Sequence, residues 1–359
     1  MGNNTPITEE QFKMLVSLYP ESFLEPPLAD HDLLRFRILF GIIMFCAVVF
    51  NILVIAVILR NKSMRTVTNT FLLSLAVSDL LIAAVCMPFQ LYELAYQEWS
   101  LGEGLCRFYA YFQGVLIVSS ILTLLIVAVD RYYAICHPLK ARHVHTVNRA
   151  LIITAVIWAL SFTLMTPQLI VQKIDYKLDN KLPIRANVPY CREYFEHHWE
   201  ILLYTSFTTF GFFLIPLIGI YVSYGRVAWR LWIRKPVGDM STMRADVHIK
   251  QKKRVIKMLI LLVAFFTVCW TPFFINHWIL SFVTPGSHSD ARVLVAYLSM
   301  MGYLNSCVNP IVYAFMNDNF KEYFVKTFCV CLQKKTHNPC TPKDGKKLQG
   351  VTATSNSAV

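Results

Sequence analysis

Seven apolar runs separated by polar stretches set the rhythm of the chain: 36–59, 71–89, 108–129, 150–171, 201–224, 256–283 and 293–316. A helix needs about 20 predominantly apolar residues to cross a bilayer core. Inside lipid each backbone amide must be satisfied within its own segment, so runs of this length predict helices. Barrel strands would be about half as long and would alternate. The pattern therefore predicts an all-α membrane protein, a seven-helix bundle over 36–316, with residues 1–35 before it. After the last span, 317–331 reads as a short amphipathic eighth helix, and 332–359 as a polar, basic, disordered tail. Near the start, Thr8-Glu9-Glu10-Gln11 has the form of a capping box. Phe12, Leu15, Val16 and Tyr19 then fall on one stripe of a short helix. So short a helix is marginal alone, which predicts that it docks on the bundle or on a bound peptide.

Charge orients the bundle. Lys and Arg number 23 in the odd connections and the tail, against 9 in the first 35 residues and the even connections. The positive-inside rule then puts the first residues outside the cell and the tail in the cytoplasm, in a multi-pass protein of the plasma membrane. Residues 1–35 lack an apolar core of their own, so the first span is expected to serve as its own membrane signal. The outer segments carry 15 acids, a net charge of −6, so the overall +12 is a basic inner rim beneath an acidic mouth. It gives no reason to expect nucleic acid as a partner. Asn3-Asn4-Thr5 lies on the outer side, making Asn3 a glycosylation candidate. Of the 10 cysteines, Cys106 and Cys191 sit in the oxidising outer loops and are expected to pair. Cys329 and Cys331, just past the last span, are candidates for palmitoylation, which would tie the inner rim to membrane lipid.

Polar groups in the apolar runs mark function, because lipid makes them costly. Asp79 stands in the middle of the second span, with Asn51, Ser120, Asn305, Ser306 and Asn309 as neutral oxygen donors in other spans. Such a set fits a monovalent cation; a protonated acid in a hydrogen-bond network is the plainer reading. Asp130-Arg131-Tyr132 ends the third span, where an arginine can pair locally or be released toward a partner. Pro216, Pro272 and Pro310 each remove a helix hydrogen bond and kink their spans. Kinks beside buried polar groups suit a bundle with two packings. Sequence signatures of hydrolases, metalloproteases and phosphate-binding loops are missing, which argues against an enzyme. One deep acid is no charged path, which argues against a transporter.

Taken together, Asn51, Asp79, Asp130-Arg131-Tyr132, Trp158, Pro216, Cys269-Trp270-Thr271-Pro272 and Asn309-Pro310-Ile311-Val312-Tyr313 place one landmark in every helix, in order. The chain resembles the rhodopsin-like (class A) G-protein-coupled receptors over about residues 36 to 331. Phe50 departs from the family's usual glycine, and Lys252 stands where some members place an acid that pairs with the arginine. The resemblance implies Trp270 as a toggle beneath the ligand and Ile121, Pro216 and Phe266 as a repacking triad. It also implies that Tyr224 and Tyr313 swing inward in the active state, and that Arg131, released from Asp130, meets a heterotrimeric G protein. Asp79, Ser120, Asn305 and Asn309 would form an allosteric sodium site, and the phosphorylated tail would recruit arrestin. No other cofactor is implied.

The ligand reading begins with exclusions. The seventh span has no lysine for retinal; Tyr303 holds that position. Where amine receptors carry an aspartate, this chain has Gln113. A neutral side-chain amide suits a peptide carboxamide; a helix-packing role is the alternative. The acidic mouth favours a cationic ligand. Glu193, two residues past Cys191, is the acid best placed over the pocket, with Glu196, Glu93 and Glu103 around it. Phe273, Phe274 and His277, a turn above Trp270, are placed to clasp an aromatic side chain. Stretches such as Thr8-Glu9-Glu10-Gln11-Phe12, Met64-Arg65-Thr66-Val67-Thr68-Asn69 and Val237-Gly238-Asp239 resemble RFamide-type neuropeptide receptors, the pyroglutamylated RFamide type above all. That resemblance implies a peptide ending in Arg-Phe-amide, its Arg on Glu193 and its amide on Gln113 and Gln90. Phe12 and Leu15 would touch the peptide from outside the bundle. Ser281 replaces an acid that some neighbouring receptors offer to the arginine. Receptors of the neuropeptide FF, neuropeptide Y or orexin type are the alternatives within the class.

Overall fold

The fold follows from which segments bury all their backbone polar groups within themselves. A computed structural model describes residues 30–96, 98–141, 146–178, 186–233, 243–280 and 289–333. Asn3, Phe12 and Leu15, Ser281, and the tail beyond Gln333 lie outside the described residues. The long helices are α1 (Asp30–Arg60), α2 (Val67–Tyr96), α3 (Glu103–Cys136) and α4 (Val147–Leu164). Next comes α5, four consecutive helical stretches: His198–Ser206, Phe207–Leu214, Ile215–Ala228 and Trp229–Ile233. Then follow α6 (Met243–Leu280), α7 (Ser289–Met316) and a shorter α8 (Asp318–Gln333). Six of these are long and apolar enough to cross a membrane, and α7 packs against α6 and α1 to complete the bundle.

Local chemistry sets the ends. Thr66 caps α2 by accepting from the Asn69 amide at 3.3 Å, and Thr146 caps α4 by accepting from the Arg149 amide at 3.4 Å. Gly102, at φ 85°, takes the left-handed turn that starts α3, a conformation other residues adopt only at a cost. Asn317 ends the bundle and starts α8, its Oδ1 accepting from the Phe320 amide at 3.1 Å. Phe320 is buried, and Asn61, just past the end of α1, donates to Thr327 Oγ1 at 3.0 Å, which lays α8 across that end of α1.

Two irregularities have a common cause. A π-helical turn, Ile82–Cys86, comes just before Pro88 in α2, and another, Phe207–Leu214, just before Pro216 in α5. Proline lacks the N–H that would continue the ladder, and the widened turn accommodates its ring. Pro272 and Pro310 lie inside α6 and α7. The loop after α4 is ordered by its own backbone pairing. It is an antiparallel hairpin, β1 (Gln172–Leu178) with β2 (Ala186–Glu193), in the register Gln172 opposite Glu193 and Ile174 opposite Cys191. The Cys106–Cys191 disulfide, Cα–Cα 5.6 Å, fastens this hairpin to the first turn of α3.

Candidate functional site: pocket, switch and inner cleft

At the hairpin end of the bundle, the side chains expected to meet a ligand form two groups. The first joins α2, α3 and α7. Gln113 Nε2 donates to the Tyr303 hydroxyl at 2.9 Å. Gln90 Oε1 accepts from Tyr109 at 2.7 Å and from Tyr303 at 3.4 Å. Gln90 and Gln113 thus share one buried phenol, and the floor they make is neutral. Tyr109 escaped the sequence reading, since a tyrosine in an apolar run looks like packing. Tyr303 drew notice only as the residue in place of a lysine.

The second group joins β2, α5 and α6. Glu193 Oε1 accepts from Gln168 Nε2 at 3.2 Å, and Glu193 Oε2 lies 3.7 Å from His277 Nε2. Gln168 in turn accepts from the Tyr204 hydroxyl. His277 lies parallel to Phe273, with ring centroids 6.1 Å apart, and Phe273 meets Trp270 edge-on at 5.9 Å. Phe274 stacks on Phe213 at 4.4 Å. Glu193, His277, Phe273, Phe274 and Trp270 are therefore one contiguous wall running from the hairpin down into the core. Gln168 and Phe213 belong to it as well, though nothing in their local sequence singles them out.

Trp270 is 3% exposed and borders Phe266, whose ring centroid is 6.4 Å away. Ile121, Pro216 and Phe266 are all buried in the main core. Below them, Asp79 is buried and accepts from Asn309 Nδ2 at 2.7 Å. Asn51 donates to the Ser306 and Ala47 carbonyls, both at 2.8 Å. The Oδ1 atoms of Asn51 and Asn305 are buried without a hydrogen-bond partner. Ser120 is buried on α3, its hydroxyl donating to the Leu116 carbonyl at 2.9 Å. One carboxylate with several neutral oxygens is a hard donor set of the kind small hard cations take.

At the far end Arg131 is held twice. Its guanidinium bonds Asp130 Oδ2 at 2.7 Å and the Thr68 hydroxyl of α2 at 2.6 Å. A cleft of about 280 Å³ opens beside it, lined by Arg131, Thr68, Met258, Asn317 and Tyr323 among others. The Tyr224 and Tyr313 hydroxyls are buried and have no hydrogen-bond partner. The sequence names Thr68 only within the Met64–Asn69 stretch, and nothing there shows that it faces an arginine on another helix.

Residues 50–313 match the family described as 7 transmembrane receptor (rhodopsin family). The chain belongs to that family. It is a multi-pass membrane receptor and not an enzyme. Among its relatives, the pyroglutamylated RF-amide peptide receptor of Mus musculus is 34% identical over 93% of this chain and 82% of that receptor. A QRFP-like peptide receptor of Branchiostoma floridae is 35% identical over 85% of this chain and 80% of the relative. The cholecystokinin receptor type A of Homo sapiens is 32% identical over 86% of this chain and 81% of its own length. The two polar groups at the hairpin end and the cleft beside Arg131 lie at opposite ends of the bundle.

Proposed function

We propose that this receptor answers an amidated peptide ending in Arg-Phe-amide and passes the signal to a heterotrimeric G protein. The observation that carries the reading is the pairing of a neutral floor with an acidic wall. Gln113, Tyr303 and Gln90 offer donors and acceptors to a carboxamide, while Glu193 faces the pocket's other side with only Gln168 and His277 as described partners. The peptide's guanidinium would displace His277 from Glu193, and its phenylalanine ring would rest among Phe273, Phe274 and Trp270. The names of the two RF-amide-type relatives agree with this ligand. Other amidated-peptide receptors remain the alternative within the family.

Several further assignments belong to the same reading. Residues 1–35 face outward, glycosylated at Asn3, with Phe12 and Leu15 on a helix that reaches the peptide. The bundle covers 36–316. Helix 317–331 lies along the inner membrane surface, lipidated at Cys329 and Cys331, and the tail 332–359 recruits arrestin from the cytoplasm. Sodium, held by Asp79 with Ser120, Asn305 and Asn309, supplies a positive charge that favours the resting packing; the unpaired Asn305 oxygen supports that role. Trp270, Phe266, Ile121 and Pro216 repack when the ligand seats. Tyr224 and Tyr313 then move to new partners, and Arg131 leaves Asp130 and Thr68 for the G protein.

The test is nucleotide exchange on a G protein in membranes bearing this receptor, with Arg-Phe-amide peptides and their free-acid forms. The expected result is activation by the amide at concentrations where the acid is silent. Equal responses to both forms would sink the carboxamide reading. Silence toward both, at confirmed surface expression, would sink the Arg-Phe class altogether.

A further inference from the structure

Glu193 is the last residue of β2, opposite Gln172 at the first position of β1. A glutamate there has several rotatable bonds, and side-chain freedom that a ligand must freeze counts against its binding. A carboxylate already held in place makes the better cation site. What holds Glu193 therefore bears on what the pocket recognises.

Gln168 holds it. This residue opens the short helical turn Gln168–Val171 after α4 and is 8% exposed. Its Nε2 donates to Glu193 Oε1 at 3.2 Å and to Gln172 Oε1 at 3.1 Å. Its Oε1 accepts from the Tyr204 hydroxyl of α5. A side-chain amide has two N–H groups, and these two bonds use both. An ionised carboxylate only accepts, so the amide must turn its nitrogen toward Glu193, and the Tyr204 hydroxyl donating to its oxygen fixes that turn. Gln172 is buried as well, with its Nε2 3.2 Å from Cys191 Sγ, in the disulfide that fastens the hairpin to α3. The bracket thus spans the end of α4, the hairpin and α5. It takes Glu193 Oε1 and leaves Oε2 on the side of His277, 3.7 Å away.

We infer that Gln168, its amide turned by Tyr204, is the positioning residue that aims Glu193 at the cationic group of the ligand. The inference rests on the reading of Glu193 as the partner of the ligand arginine. With both N–H groups engaged, Gln168 acts on the ligand through Glu193 and not by a bond of its own. Tyr204 acts one step further back, through Gln168. The guanidinium then meets a carboxylate whose free oxygen already points at it, and a charge-assisted bond forms without first ordering the side chain.

The test compares an Arg-Phe-amide peptide with its twin carrying citrulline, a neutral side chain of similar shape, in place of arginine. Potencies are measured on the full-length receptor and its Gln168→Met, Tyr204→Phe and Glu193→Gln variants at matched surface expression. In Gln168→Met the preference for arginine over citrulline is expected to shrink about two- to tenfold, the range for one side chain left to be ordered on binding. Tyr204→Phe, which removes the hydroxyl alone, should shrink it in the same direction, and gives the reading should Gln168→Met fail to reach the surface. A merely structural loss would weaken both peptides alike and leave the preference unchanged. Once Glu193→Gln is in place, adding Gln168→Met should change the preference no further, because the two act as one unit. A preference that shrinks in Glu193→Gln but holds in Gln168→Met and Tyr204→Phe overturns the role of Gln168 and leaves Glu193 as the partner of the arginine. A fall in Gln168→Met without one in Tyr204→Phe overturns Tyr204 as the residue that turns the amide. A wild-type receptor with no preference, or one that Glu193→Gln leaves unchanged, overturns the pairing of Glu193 with the arginine and the role of Gln168 with it.

Discussion

A methyl group at position 302 would stand 2.9 Å from the Trp270 ring, well inside the ordinary carbon–carbon contact of about 3.5–4.0 Å. The obstacle is a rigid indole, so the ring itself must move. Trp270 borders Phe266 on one side and Phe273 on the other, at 6.4 and 5.9 Å between ring centroids. Displacing it disturbs the rings that join the pocket to the core. Gly302→Ala is therefore expected to raise ligand-free nucleotide exchange and to lower stability by about 1–3 kcal/mol, the usual cost of overpacking. Basal exchange at the wild-type level, with the variant folded, would show that Trp270's place does not set the resting state. Trp270 is recognisable from Cys269-Trp270-Thr271-Pro272, but Gly302 is not: its reason lies in a ring on another helix.

Among elements, the contact between α2 and α3 at the inner end matters most for signalling. Lys252 cannot accept a hydrogen bond from Arg131, so the inter-helix acid that some family members offer this arginine is missing. Thr68 of α2 instead accepts from Arg131 at 2.6 Å, across helices. Thr68→Val keeps the side chain's size and removes the acceptor. A bond to a charged group is worth about 1.5–3 kcal/mol, so basal exchange should rise by about tenfold or more. If Thr68→Val leaves basal exchange unchanged, Asp130 alone restrains the arginine. The helices themselves were legible, since each run long enough to cross lipid had one way to satisfy its amides. The π-helical turns ahead of Pro88 and Pro216 were not. A proline announces a lost bond, but neighbouring helices decide whether the chain kinks, widens or shifts register.

Across the whole molecule, Asp79 lies between the pocket and the inner cleft, in a polar core built from α1, α2 and α7. A cation bound there in the resting packing must weaken agonist binding by the same factor as agonist weakens cation binding. Replacing potassium with sodium in the assay buffer is expected to lower agonist affinity severalfold, and Asp79→Asn should abolish the difference. An affinity equally sensitive to sodium in Asp79→Asn would move the effect elsewhere.

What the sequence determined by itself is the membrane, the number of long helices, the likeness to a receptor family, and the separate polar landmarks. Each depends on composition within a single segment or on spacing along one helix. Tertiary structure decided which landmarks meet: Gln90 with Gln113 through Tyr303, Glu193 with His277, and Arg131 with Thr68. It also decided that Gly302 makes room for Trp270. These are relations between residues far apart in the chain. Helical periodicity gives the face on which a side chain lies, but the rotation and tilt that choose what it faces come from packing against the other helices.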